Sequence, residues 1–125
     1  MSTLIPRAEA RRTTTPNATM TTLASPTQGA SRQALWRVEM APGAVGPDHA
    51  MAGEQIWTVV GGAARVEVSG EVVALGPGDT LVLPADVLRR VHADAERGLE
   101  AVVTGPGDDT ASGPGREPVV PAWIA

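Results

Sequence analysis

The chain has 125 residues, 42% of them hydrophobic, and a formal net charge of −4. That length holds one domain with a real core and no more. The acidic balance, with no basic stripe, argues against a nucleic-acid partner. The absence of Cys excludes a disulfide framework, a thiol nucleophile and a thiolate metal site. All ten cationic side chains are Arg, which together with the Ala, Gly and Val bias points to a GC-rich bacterial genome. The N-terminal MSTLIPRAEARRTTTPN has no apolar run of signal-peptide length, and no segment is long enough to span a bilayer. A soluble cytoplasmic protein without a membrane partner is the expectation.

In chain order, residues 1–17 read as a polar arm carrying Arg7, Arg11 and Arg12, either poorly ordered or lying across a neighbour. From residue 18 onward short strands alternate with turn chemistry. ATMTTLAS (18–25) ends at Pro26. QALWRVEM (33–40) sets Trp36, Val38 and Met40 on one face and Arg37 and Glu39 on the other. QIWTVV (55–60) precedes Gly61-Gly62, a hairpin signal into AARVEV (63–68), and Ser69-Gly70 turns into EVVAL (71–75). TLVLP (80–84), VLRRVHA (87–93) and LEAVVT (99–104) complete the set. No stretch predicts a helix of three turns. Eight short antiparallel strands punctuated by Gly and Pro predict an all-β sandwich or barrel over 18–104. Residues 105–116 read as a flexible Gly/Pro-rich linker. The apolar tail VVPAWIA (119–125) is then free to dock on the barrel or on a partner subunit.

Between Gly43 and Ala93 the spacing of Gly, His and Pro resembles the two motifs of the cupin family. In the first motif Gly43, His49 and Gly62 match, while Met51 stands at the second His and Gln55 at the Glu. In the second, Gly78 and Pro84 match, while Asp86, Arg89 and Ala93 replace Gly, His and Asn. Fifteen residues separate Gly62 from Gly78, a spacing that suits the small single-domain cupins. The resemblance implies a jelly-roll β-barrel with one pocket, and a homodimer. It also implies a divalent metal held by three His and one Glu or Gln. Of that set only His49 and Gln55 survive as ligands. Met51 is a soft thioether, and Arg89 stays protonated and repels a cation. No cofactor is therefore assigned, and a divalent metal is the weaker expectation.

Other residues do not rescue the ligand set. By strand alternation Glu54 faces away from Gln55, and His92 faces away from Arg89. Asp48 is either a partner that orients His49 or a turn residue after Pro47. What remains is an organic pocket with His49, Gln55 and Arg89 as its few polar groups. Trp57 stands beside Gln55 on the inward face, Met51 lies near His49, and Trp36 and Met40 line an opposing wall. Core packing is the plain alternative for Met51 and Trp57. A buried Arg89 needs an anion, supplied by Asp86 or by a substrate carboxylate, enolate or phenolate, unless its side chain reaches the barrel mouth. A nearby Arg also lowers the His49 pKa, keeping it neutral and able to act as a general base.

Three functions follow. The first is a metal-independent isomerase, lyase or cyclase of bacterial secondary or sugar metabolism, with His49 and Arg89 as catalytic residues. The second is a binding or sensing module that uses the same pocket for a small, anionic ligand without turnover. The third, ranked below both, is a metal-dependent cupin of dioxygenase or isomerase type with a non-standard ligand set. Whether the chain is an enzyme is left open by its residues.

Overall fold

A computed structural model describes residues 2–125. A single 3-10 turn, Arg7–Glu9, precedes twelve strands: β1 Arg11–Thr14, β2 Thr19–Ala24, β3 Gln33–Met40, β4 Ala50–Met51, β5 Gln55–Gly62, β6 Ala64–Val68, β7 Glu71–Leu75, β8 Thr80–Leu83, β9 Arg89–Ala93, β10 Leu99–Pro106, β11 Ala111–Gly113 and β12 Arg116–Val119. They form a six-stranded sheet in the order β1-β2-β3-β10-β5-β8 and two three-stranded sheets, β7-β6-β9 and β12-β11-β4. All pairings are antiparallel. This is the all-β jelly-roll architecture.

The core lies between the inner faces of the six-stranded sheet and the β7-β6-β9 sheet. On β3 the alternation is complete: Ala34, Trp36, Val38 and Met40 are buried and the residues between them exposed. Val59, Leu83, Ala101 and Val103 extend that face, and Ala64, Val66, Leu75, Val91 and Ala93 oppose it. With no Phe or Tyr, the interior is filled by β-branched and small side chains around Trp36, as pleated surfaces favour.

Two local expectations need correction. Gly61-Gly62 is not a hairpin turn: β5 runs on through Gly62 and pairs with β10 and β8, whereas β6 pairs with β7 and β9. The chain leaves one sheet for the other here, at Gly62 with φ +65°. Ser69-Gly70, by contrast, is a tight hairpin turn, with φ of +51° and +76° joining β6 to β7. Residues 105–116 are not a flexible linker, because β11 and β12 form a hairpin there around Pro114-Gly115, with Gly115 at φ +72°. The Gly and Pro residues that suggested flexibility are the turn chemistry of that hairpin.

The two ends of the chain meet each other. The Arg11–Thr14 segment of the arm pairs with β2 of the same chain as an edge strand, which needs no apolar face of its own. The apolar tail docks on its own barrel. Ile124 is buried, Thr22 Oγ1 donates to Trp123 O (2.7 Å), and Arg11 Nη2 and Ser25 Oγ both donate to Ala125 O (2.7 Å each). Among the described residues no helix is long and apolar enough to cross a membrane.

Candidate functional site

The site is built at the end of the barrel where β5 begins. Period-two alternation turns Gln55, Trp57 and Val59 inward, and Arg89, Val91 and Ala93 do the same on β9. His49 pairs directly with Arg89 through two backbone hydrogen bonds (3.1 and 2.9 Å), which sets both side chains on one face. Met51 follows on β4, 3% exposed, its carbonyl accepting from Asp86 N (2.8 Å).

Arg89 is the centre of this cluster and is only 1% exposed. Its Nη2 donates to Gln55 Oε1 (2.7 Å), and its Nε donates to His49 Nε2 over a longer 3.4 Å. The same Gln55 Oε1 accepts from Trp57 Nε1 at 3.2 Å. His49 Nδ1 lies 2.9 Å from Pro47 O, which can only accept, so the proton sits on Nδ1 and the Nε2 lone pair faces the guanidinium. Burial lowers the His49 pKa, and the positive charges of Arg89 and Arg116 add to this. The Pro47 carbonyl and Asp48 oppose it. Burial also lowers the Arg89 pKa to about 10, opposed by the charge of Asp109, so the guanidinium stays protonated at neutral pH.

Asp109 is the residue that the sequence reading missed. It is 3% exposed, and its Oδ1 accepts from Gly53 N (2.7 Å) and Thr110 N (2.9 Å). It lies in GPGDD, a stretch whose composition suggests a mobile loop, and no periodicity marks a buried residue there. Its only sequence signal is its place in a turn-forming stretch, where Asp side chains bond nearby backbone N–H groups. The carboxylates considered for the site stand elsewhere. Asp86 is exposed at φ +59° and does not pair with Arg89. Asp48 faces Arg90 at 3.4 Å and leaves the orientation of His49 to Pro47.

His92 points outward and pairs with Glu67 (2.9 Å), and Glu54 is exposed. Trp36 stands level with Trp57 across β10, through Val103, about 10 Å away by strand spacing. Met40 does not join the cluster. It pairs with Leu99, which pairs with Gly62, seven positions along β5 from Gln55 or roughly 20 Å towards the opposite end. Trp57, Leu81 and Val68, on the inward faces of β5, β8 and β6, are half-buried.

These residues do not fit a divalent metal. The Gln55 oxygen already accepts two hydrogen bonds, the His49 lone pair faces a donor, and a positive charge occupies the point on which both converge. Among the described residues no three His, Cys, Asp or Glu side chains converge. An expected outcome follows for pH. The folded pKa of His49 lies below its unfolded value of 6.5, so folded protein binds fewer protons than unfolded chain between the two. This contribution to stability is present above pH 6.5 and is lost as pH falls through the folded pKa. Urea unfolding at about pH 7 and about pH 5 is therefore expected to show a larger loss in the wild type than in His49→Gln. Equal losses would refute this assignment.

The sequence profile of the cupin domain matches residues 36–105, more than half of the chain. KdgF from Halomonas sp. has a similar structure at 26% identity and a TM-score of 0.69, over 85% of this chain and 94% of that one. The polyketide cyclase RemF from Streptomyces resistomycificus superposes at a TM-score of 0.71 and 21% identity, over 85% of this chain and 80% of that one. Oxalate decarboxylase from Bacillus subtilis gives a TM-score of 0.71 at 17% identity, over 79% of this chain but 27% of that one. At these identities the last two share a fold and no more. No curated protein sequence matches the chain.

Proposed function

The chain belongs to the cupin family, and from that premise we propose that it binds a small organic anion in the barrel without a metal, using the Arg89 guanidinium as the fixed positive charge. One observation carries this reading: Arg89 holds both His49 Nε2 and Gln55 Oε1, the two positions that the motif assigns to ligands. A guanidinium there offers directional N–H donors and a permanent charge, which suit a carboxylate, enolate or phenolate. Half-buried Trp57 and Leu81 supply an apolar wall for the rest of such a molecule.

Calorimetric titration with small carboxylates and phenols tests the reading. Ligands that bind the wild type are expected to lose about 30-fold or more in affinity to Arg89→Gln, the scale of one charge-assisted hydrogen bond in a desolvated site. Equal affinity for both proteins would remove Arg89 from the binding site.

A second reading, proton-transfer catalysis by His49, is favoured by its neutral imidazole. With the proton on Nδ1, its Nε2 lone pair faces Arg89 Nε at 3.4 Å. Turnover that disappears in His49→Gln while affinity persists would distinguish an enzyme from a binding module.

A further inference from the structure

Arg89 Nη1 and Asp109 Oδ2 are among the buried polar atoms that have no partner among the described residues. They belong to oppositely charged residues that interact through space, since the Asp109 charge raises the Arg89 pKa. Yet they do not meet in a hydrogen bond.

Each is anchored from its other side. Gln55 Oε1 and His49 Nε2 hold Arg89, while the N–H groups of Gly53 and Thr110 hold Asp109 Oδ1. The segment that carries Asp109 packs closely against Gly53. A Cβ at Gly53 would lie 2.8 Å from Pro106 Cγ and 3.3 Å from Asp109 Oδ1, so the backbone there is already in close contact. Buried N–H and carboxylate groups left open in this way are costly unless something bridges them. The bridge must accept from the guanidinium and donate to the carboxylate.

We propose that the ligand is a 2-hydroxy acid, whose carboxylate accepts from Arg89 Nη1 and whose hydroxyl donates to Asp109 Oδ2. This rests on the anion-binding reading above and narrows its ligand class. A simple carboxylate satisfies Arg89 but leaves Asp109 Oδ2 open. A simple alcohol does the reverse. The indole of Trp57 favours an aromatic substituent on the 2-hydroxy acid.

Calorimetry on the wild type with mandelate, phenylacetate and α-methoxyphenylacetate (O-methylmandelate) isolates the hydroxyl. The three share ring and carboxylate, and only mandelate can donate to Asp109. Mandelate is expected to bind about 10- to 100-fold more tightly than either analogue, the range for one hydrogen bond to a charged group. In Asp109→Asn an amide N–H replaces the accepting oxygen, and the preference is expected to fall to parity or reverse.

Phenylacetate binding as tightly as mandelate to the wild type would overturn the 2-hydroxy acid assignment while leaving the anion site standing. Retention of the full preference in Asp109→Asn would do the same. No binding of any of the three acids would overturn both. The wild-type comparison stands alone if the variant fails to fold.

Discussion

Arg89→Met is expected to lower the free energy of unfolding by about 3 kcal/mol, even though Met suits the apolar interior around it. Three losses combine. Gln55 Oε1 loses its shortest donor (2.7 Å), His49 loses the group that faces its lone pair, and buried Asp109 loses its compensating charge. Removing one member of a buried charge pair leaves the other uncompensated, and this outweighs the apolar surface gained. The same substitution made in Asp109→Asn should therefore cost about 1 kcal/mol less, because the stranded charge is already gone. Denaturant unfolding of the four proteins in this cycle measures both quantities. A loss below about 1 kcal/mol, or the same loss in both backgrounds, would show that Arg89 and Asp109 do not act as a coupled pair.

Gly62→Ala is expected to be as damaging, for a backbone reason. Gly62 has φ +65°, and an added Cβ would overlap the carbonyl oxygen of Gly98 and lie 2.7 Å from its carbon. That carbonyl accepts from Ala63 N (3.0 Å) at the point where the chain passes from one sheet to the other. The left-handed conformation alone costs a residue with a Cβ about 1–2 kcal/mol. Displacing paired backbone brings the total to about 4 kcal/mol, or roughly 15 °C in Tm for a domain of this size. Gly70→Ala is the control. It shares the positive φ (+76°) but has no atom within 4 Å of the added Cβ, so its cost should stay near 1 kcal/mol. Equal melting temperatures for the two variants would remove the close approach to Gly98 from the account.

How much of this was legible in the residues depends on the kind of signal. The strands at 33–40 and 71–75 coincide with their expected limits because period-two alternation, or a short apolar run ended by turn residues, is a local property. The inward direction of Gln55 and Arg89 follows from the same rule once each strand is placed. Gly61-Gly62 misled because a hairpin and a sheet-to-sheet crossing use the same glycine chemistry, and only long-range pairing separates them. The hairpin of β11 and β12 was hidden because its strands have three and four residues and no alternating apolar face. Asp109 was illegible for a related reason. Its burial comes from the fold of the segment between β10 and β11 against Gly53, 56 positions away in sequence. The counter-charge to Arg89 was thus sought beside the motif, at Asp86, when the barrel brings it from the segment after β10, twenty positions downstream of Arg89.

A guanidinium occupies the point on which the surviving motif residues His49 and Gln55 converge. Elemental analysis of protein purified without chelator tests this placement most directly. If Arg89 holds His49 Nε2 and Gln55 Oε1 in solution, iron, nickel, manganese, zinc and copper should each be far below one atom per chain. Addition of these ions should also leave the melting temperature unchanged. Near-stoichiometric metal that disappears in His49→Ala would contradict the account.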